Sequence, residues 1–162
     1  YVYKRQGENL IKTALKLLLE DRHADVTEYG KELVKLYPHD PDAYAHLTFF
    51  QQITGDYEGQ VKTLLRAVEI KDNPANIYNI LGYTYMALEQ YDKAAAALDK
   101  YIQLNPDDPN PYDSKGDYYM EVKDYGKAYE SFMEAVKMDS TWTGSLRKAK
   151  KASAMMKADQ EK

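Results

Sequence analysis

Apolar residues recur along this chain at the spacing of one helix face, not at the alternation of a strand. Ile77 and Tyr78, then Leu81, Tyr85 and Leu88, follow one another at three- and four-residue steps, the pattern of one side of a helix. A second such run, Ala94, Ala97, Leu98, Tyr101, Ile102 and Leu104, comes after the break at Gln90-Tyr91-Asp92. Asp92 is expected to cap that second helix, and Asn105-Pro106-Asp107-Asp108 to stop it. Strand-like alternation is absent throughout. The fold class expected is all-α, built of short helix pairs.

The pattern itself repeats, with a period of 34 residues. Pro38 and Pro106 stand two periods apart. Tyr44, Tyr78 and Tyr112 share one register; Tyr57, Tyr91 and Tyr125 share another. Gly82 pairs with Gly116, Tyr85 with Tyr119, and Ala94 with Ala128; Leu64, Leu98 and Phe132 form a column, as do Leu36, Ile70, Leu104 and Met138. The units are 7–40, 41–74, 75–108 and 109–142, with a tail at 143–162. Gly82 and Ala94 lack the Cβ bulk that would keep two antiparallel helices apart, and the aromatics beside them fill the flanking space. The tail is expected to form one more helix, roughly 143–160, that covers the open end of the last unit. Leu146, Ala149, Ala152/Ser153 and Met156 make its apolar face; Arg147, Lys148, Lys150 and Lys151 take the other.

A 34-residue period carrying an aromatic, Leu-Gly, Tyr, Ala, Leu or Phe, and Pro resembles the tetratricopeptide repeat (TPR). Here the series reads Tyr78, Leu81-Gly82, Tyr85, Ala94, Leu98 and Pro106. Unit 109–142 keeps most of it, with Lys115 for the Leu and Ser140 for the Pro. Unit 41–74 departs at Thr48, Gln51 and Gln60. Unit 7–40 keeps only the size pattern of Ala14, Leu17, Val26 and Pro38. Gly30 stands in the column that is Leu or Phe elsewhere, so the first pair is expected to pack loosely. The resemblance implies a right-handed α-solenoid of four helix-turn-helix units plus a C-terminal capping helix, one domain over 1–162.

Charge changes the list of partners more than the fold. The net charge is −4. Lys4 and Arg5 make the start basic, and 143–162 has six Lys/Arg against two Asp/Glu, so the body between stands at −10. An acidic body repels phosphate backbones, and nucleic acid is not expected as a partner. Apolar runs are a few residues long, such as Leu17-Leu18-Leu19, too short to span a membrane. The chain has no Cys, which excludes disulfides and thiolate metal sites. It opens at Tyr1 rather than Met, read as a removed leader or a piece of something longer; localisation stays open.

Catalytic chemistry is not legible. The three histidines, His23, His39 and His46, form no HExxH pair, and no phosphate-cradling or nucleophile motif occurs. His23 shares the column of Tyr57, Tyr91 and Tyr125 and is expected to pack between helices. No enzyme activity, cofactor or metal is expected.

Binding remains, and the resemblance implies that the first helix of each unit lines a groove. The residues facing it are read from the spacing opposite the core columns. They include Leu15 in the first unit, His46 and Phe49 in the second, and Asn76, Asn79, Tyr83 and Met86 in the third. The fourth gives Asn110, Asp113, Ser114, Asp117 and Glu121. Leu15, Phe49 and Tyr83 are one period apart and make an apolar strip of the kind that usually meets a partner. Asn79 is expected to hold a peptide backbone. Asp113, Asp117 and Glu121, four residues apart on one face, repel one another; either a basic end of the ligand or water answers them. The heat-shock carboxylate clamp is not expected, because Ile11, Leu15, His46, Asn76 and Ile80 supply no cation where the clamp needs one. The function expected is a non-catalytic protein–protein interaction module that takes a protein, peptide or helix in its groove. The alternatives are a self-associating homodimer and a regulatory segment of a larger protein.

Overall fold

The computed structural model describes residues 2–20 and 22–161, with side chains at 8–20, 22, 25–159 and 161. The basic Lys4 and Arg5 and the packing of His23 therefore lie outside the described side chains. Among the described residues there are nine α-helices and no strand. They fall into two compact units, Tyr1–Pro74 and Ala75–Lys162. The first holds α1 (Val2–Leu19), α2 (His23–Leu36), α3 (Pro41–Thr54) and α4 (Tyr57–Ile70). The second holds α5 (Ala75–Ala87), α6 (Tyr91–Leu104), α7 (Pro109–Glu121), α8 (Tyr125–Met138) and α9 (Thr143–Gln160).

The sequence period is also the period of the helices. From α2 to α8 the even-numbered helices begin at 23, 57, 91 and 125, and from α3 to α9 the odd-numbered ones begin at 41, 75, 109 and 143. The ends are set by local chemistry that keeps the same register. Asp40 and Asp108 cap α3 and α7 by accepting from the backbone N–H of Asp42 and Asn110, with Pro in the first turn. Tyr44 and Tyr112 donate their hydroxyls to the carbonyls of Pro38 and Pro106, at 3.0 and 3.1 Å. The hairpin turns place Gly55, Glu89 and Lys123, one period apart, in the left-handed region. Gly55 takes that conformation freely, whereas each of the two others costs about 1 kcal/mol.

Asp92 is not the cap of α6. The cap position is Gln90, which makes no side-chain bond; Asp56 and Asp124 hold the same register before α4 and α8 and do cap. Asp92 sits in the first turn of α6, where a carboxylate still meets the positive end of the helix dipole.

The small residues do what close packing requires. A Cβ added to Gly82 would lie 2.6 Å from the Leu98 side chain, and one added to Gly116 would run into the Phe132 ring. Gly30 faces α3, not α1. It is buried, and its missing Cβ would lie 2.8 Å from Leu47 and 3.0 Å from Phe50. Helix α3 packs into the room that Gly30 leaves, and Phe50 joins Ala14, Leu17 and Val26 in one core cluster. At the other end α9 covers the last hairpin: Ala149 and Ala152 are fully buried against Ala128 and Phe132. Leu104, at the end of α6, is exposed rather than core.

Departures from the repeat pattern are met with polar bonds. Gln60, in the Ala column, donates its amide to the Thr48 carbonyl at 3.1 Å. Lys115, in the Leu column, is only 7% exposed. Its ammonium donates to Asp99 at 2.7 Å and to the Ala95 carbonyl at 3.3 Å, close to the rings of Tyr118 and Tyr119. Desolvating a charge usually cancels much of what such a pair returns. Asp99 is itself exposed, so water can take it back. Lys115→Leu is therefore expected to raise the unfolding free energy by about 1 kcal/mol. Urea denaturation of the two proteins checks this; a variant less stable than the wild type would show that the buried pair is a net stabiliser.

Candidate functional site

The odd-numbered helices carry the residues the sequence assigns to binding, and each unit presents its own set. In the first unit Leu15 on α1 is 46% exposed and Phe49 on α3 is 48% exposed, although their chain neighbours Ala14 and Phe50 are buried. The Phe49 ring is propped by the buried Phe50 ring at 5.9 Å, and half-buried His46 stacks on Phe50 at 6.4 Å. Ile53, one turn beyond Phe49, is also exposed. Helical spacing explains the arrangement: the core-facing and outward-facing positions are separate stripes of the same helix.

In the second unit Tyr83 on α5 keeps 40% of its surface, but its hydroxyl is committed. It donates to Asp117 Oδ2 at 2.8 Å. Lys148 from α9 donates to the same oxygen at 2.8 Å and to Asp113 Oδ2 at 2.7 Å. Ser145, buried on α9, donates a short hydrogen bond to Asp113 Oδ1. Three successive odd-numbered helices are thus tied through two carboxylates. Burial pushes the Tyr83 phenol up; Ser114 works against this, and Asp117 and Asp113 add to the rise, so the phenol stays protonated and donates. Burial lowers Lys148, but its bonds to Asp113 and Asp117 and their charges outweigh that, so its pKa is raised.

The carboxylate row is therefore answered from within the chain. Lys148 does not lie on the solvent face of α9; it turns in toward α7. The sequence held a usable signal for this. Contacts between successive odd-numbered helices join residues 31 to 35 apart, as at Tyr83–Asp117, Asp113–Ser145 and Asp117–Lys148, and a cation stands at that distance from both Asp residues. Glu121, at the end of α7, stays exposed. Ser114 is buried and does not face outward.

The remaining candidates are placed as follows. Asn76 is exposed, and Met86 and Asn110 are half-buried. Asn79 is half-buried, and its Oδ1 is shielded without a hydrogen-bond partner; capture of a backbone there requires the amide to turn outward. Among the described residues no group of three or more His, Asp or Glu is placed to hold a metal ion, and no helix is long and apolar enough to cross a membrane.

Lys148→Met tests the clamp. The Lys148 side chain keeps 37% exposure, so screening trims its contribution and the expected loss of stability is about 1–2 kcal/mol. Because its folded pKa is raised, that contribution is complete below the unfolded lysine value of about 10.4 and fades as pH climbs through the higher folded value. Denaturation at neutral pH and above about pH 11 should show the two proteins converging only at the alkaline end. Equal midpoints at neutral pH would mean that the clamp adds nothing.

A tetratricopeptide repeat model matches residues 75–108, and a second tetratricopeptide repeat model matches residues 110–141. The helices bounded above supply the two-helix unit those models describe. Residues 75–108 and 110–141 are tetratricopeptide repeats. No curated protein sequence matches the chain. Solved structures match the fold. TTC0263, a thermophilic TPR protein of Thermus thermophilus, has a TM-score of 0.70 at 20% identity over 90% of this chain and 80% of that one. MamA 41-end from Desulfovibrio magneticus RS-1 has 0.68 at 18% over 96% and 93%. YrrB, a TPR protein with an unusual peptide-binding site, has 0.65 at 16% over 97% and 84%. The fold class is therefore the all-α solenoid of TPR hairpins, and proteins of this family are in general non-catalytic modules of protein interaction.

Proposed function

We propose that this chain is a non-catalytic adaptor that binds a peptide or a helix of another protein on its odd-numbered helices. One observation carries the reading: Leu15, Phe49 and Tyr83, one period apart in sequence, all keep 40–48% of their surface while residues beside them are buried. Large side chains held half-exposed on rigid helices are the usual anchors of a binding face. Tyr83 is the best fixed of them, since its hydroxyl is held by Asp117 and little freedom is lost on binding. Asn76 and Asn110 supply amides at the rim. A basic end of the ligand would compete with Lys148 for Asp113 and Asp117, which leaves Glu121 as the freer charge.

The test uses peptides selected on the full chain from a random display library. Selected peptides should lose binding to the Phe49→Ala/Tyr83→Ala protein. Retained affinity would contradict the reading. Light scattering on the same sample separates the homodimer: a dimer mass that the double substitution abolishes would assign the face to a second copy.

A further inference from the structure

One end of the face in the first unit is a pocket whose walls carry a charge signature. It has a volume of about 460 Å³ and opens between α1, α2 and α3, within the size range of ligand sites, about 300–1,000 Å³. Its floor is apolar: Leu33 and Ala43 are buried and Ile11 is half-buried. Its rim carries three exposed carboxylates from three separate segments, Glu8 on α1, Asp40 in the turn before α3, and Asp42 in the first turn of α3. No lysine or arginine is among the described residues that line it. Asp40 uses one oxygen on the amide of Asp42. Glu8 and Asp42 share one register of the 34-residue repeat, which is Asn in the two repeats that follow, at Asn76 and Asn110, so the charge belongs to the first two repeats.

We infer that this pocket takes an apolar side chain of a partner peptide whose flanking residues are Lys or Arg. The floor removes the apolar side chain from water, and the carboxylates meet the flanking cations at the rim, where opposite charges fix register and speed encounter. A metal ion does not fit, because the carboxylates and His46 do not converge to hold one. A small free cation would fill the rim but leave Leu15, Phe49 and Ile53, exposed along the same two helices, uncovered. An extended peptide running out of the pocket along that stripe covers both. The inference rests on the adaptor reading above, and it adds the chemistry of the ligand.

The experiment measures fluorescence polarisation of three synthetic peptides on the full chain. The first has a central Leu flanked by Lys and Arg, with a second apolar residue downstream. The second has Glu in place of the basic residues, and the third has Ser in place of the central Leu. The basic-flanked Leu peptide should bind roughly tenfold or more tighter than either other peptide, and more weakly as salt rises. Glu8→Gln/Asp42→Asn should weaken it roughly fivefold to tenfold and leave the Glu-flanked peptide unchanged. Asn at position 42 is what the next two units carry, so folding is preserved, and circular dichroism checks this. Equal affinity for basic- and Glu-flanked peptides, or no effect of the double substitution, would overturn the inference. Phe49→Ala/Tyr83→Ala separates the two claims. If it abolishes binding that is indifferent to flanking charge, the pocket inference fails and the adaptor face stands. If it changes nothing while the charge preference and the Glu8/Asp42 effect persist, the face fails and the pocket stands.

Discussion

Phe49→Ala/Tyr83→Ala is expected to keep the helical circular dichroism of the wild type and to lose affinity for display-selected peptides by on the order of 100-fold. Truncating one anchoring aromatic costs about 1–2 kcal/mol or more, and Phe49 and Tyr83 stand on different helices, so their effects should add approximately. Stability should change little, because both rings are half-exposed and neither belongs to the buried core. Tyr83 also gives up its bond to Asp117, but Lys148 remains on that carboxylate. The matched control is Leu65→Ala/Tyr129→Ala. Leu65 on α4 and Tyr129 on α8 are 48% and 39% exposed, so the control removes similar apolar surface from even-numbered helices. Loss of binding in both double variants would mean that general stickiness, not a particular face, holds the peptides.

Gly116→Val carries the largest expected effect on stability. The Gly116 Cβ position is already occupied by the Phe132 ring, which is fully buried between Ala128, Ala149 and Ala152. The ring has no free side to move toward, so α7 and α8 must separate or the ring must leave its rotamer. Overpacking of this kind costs about 1–3 kcal/mol, of which the better helix propensity of Val over Gly recovers only a few tenths. Because neighbouring hairpins stabilise one another through their interfaces, the loss should spread to α9. Thermal or urea unfolding measures it. Phe132→Leu in the same chain should recover part of the loss, a coupling that only contacting residues show. No loss in Gly116→Val would mean that the helices are not as close as the glycine column implies.

The architecture was legible because the repeat is written in residue sizes. A glycine opposite Leu98 or Phe132 recurs at 34, a tyrosine reaching back to a proline carbonyl and an aspartate one residue before a helix recur at twice that, and the helix starts keep the register. What sequence spacing does not carry is which polar residue meets which. Gly30 read as a gap because only its own helix pair was considered; the atoms that fill the gap, Leu47 and Phe50, come from the next helix. Asp92 read as a cap because it is the acidic residue at the break, yet the cap register belongs to Gln90. Lys148 read as solvated because it lies off the alanine stripe of α9. A long side chain can cross from that flank to Asp113 and Asp117, and only the 31–35 residue offset between successive odd-numbered helices reveals it. Of the candidate site residues, Tyr83, Asp113 and Asp117 meet in one network, Leu15, His46 and Phe49 lie in the first unit, and Asn79 faces inward at its oxygen.

The most direct test of the adaptor account is a comparison of photo-crosslinks. Benzoyl-phenylalanine is placed singly at position 49 or 83, on odd-numbered helices, and at position 65 or 129, on even-numbered ones. The first pair of native side chains matches the second in exposure, 48% and 40% against 48% and 39%. Irradiation with a display-selected peptide should give covalent adducts from positions 49 and 83 and none from 65 and 129. Adducts from 65 or 129 instead would place the ligand on the opposite helices and contradict the account.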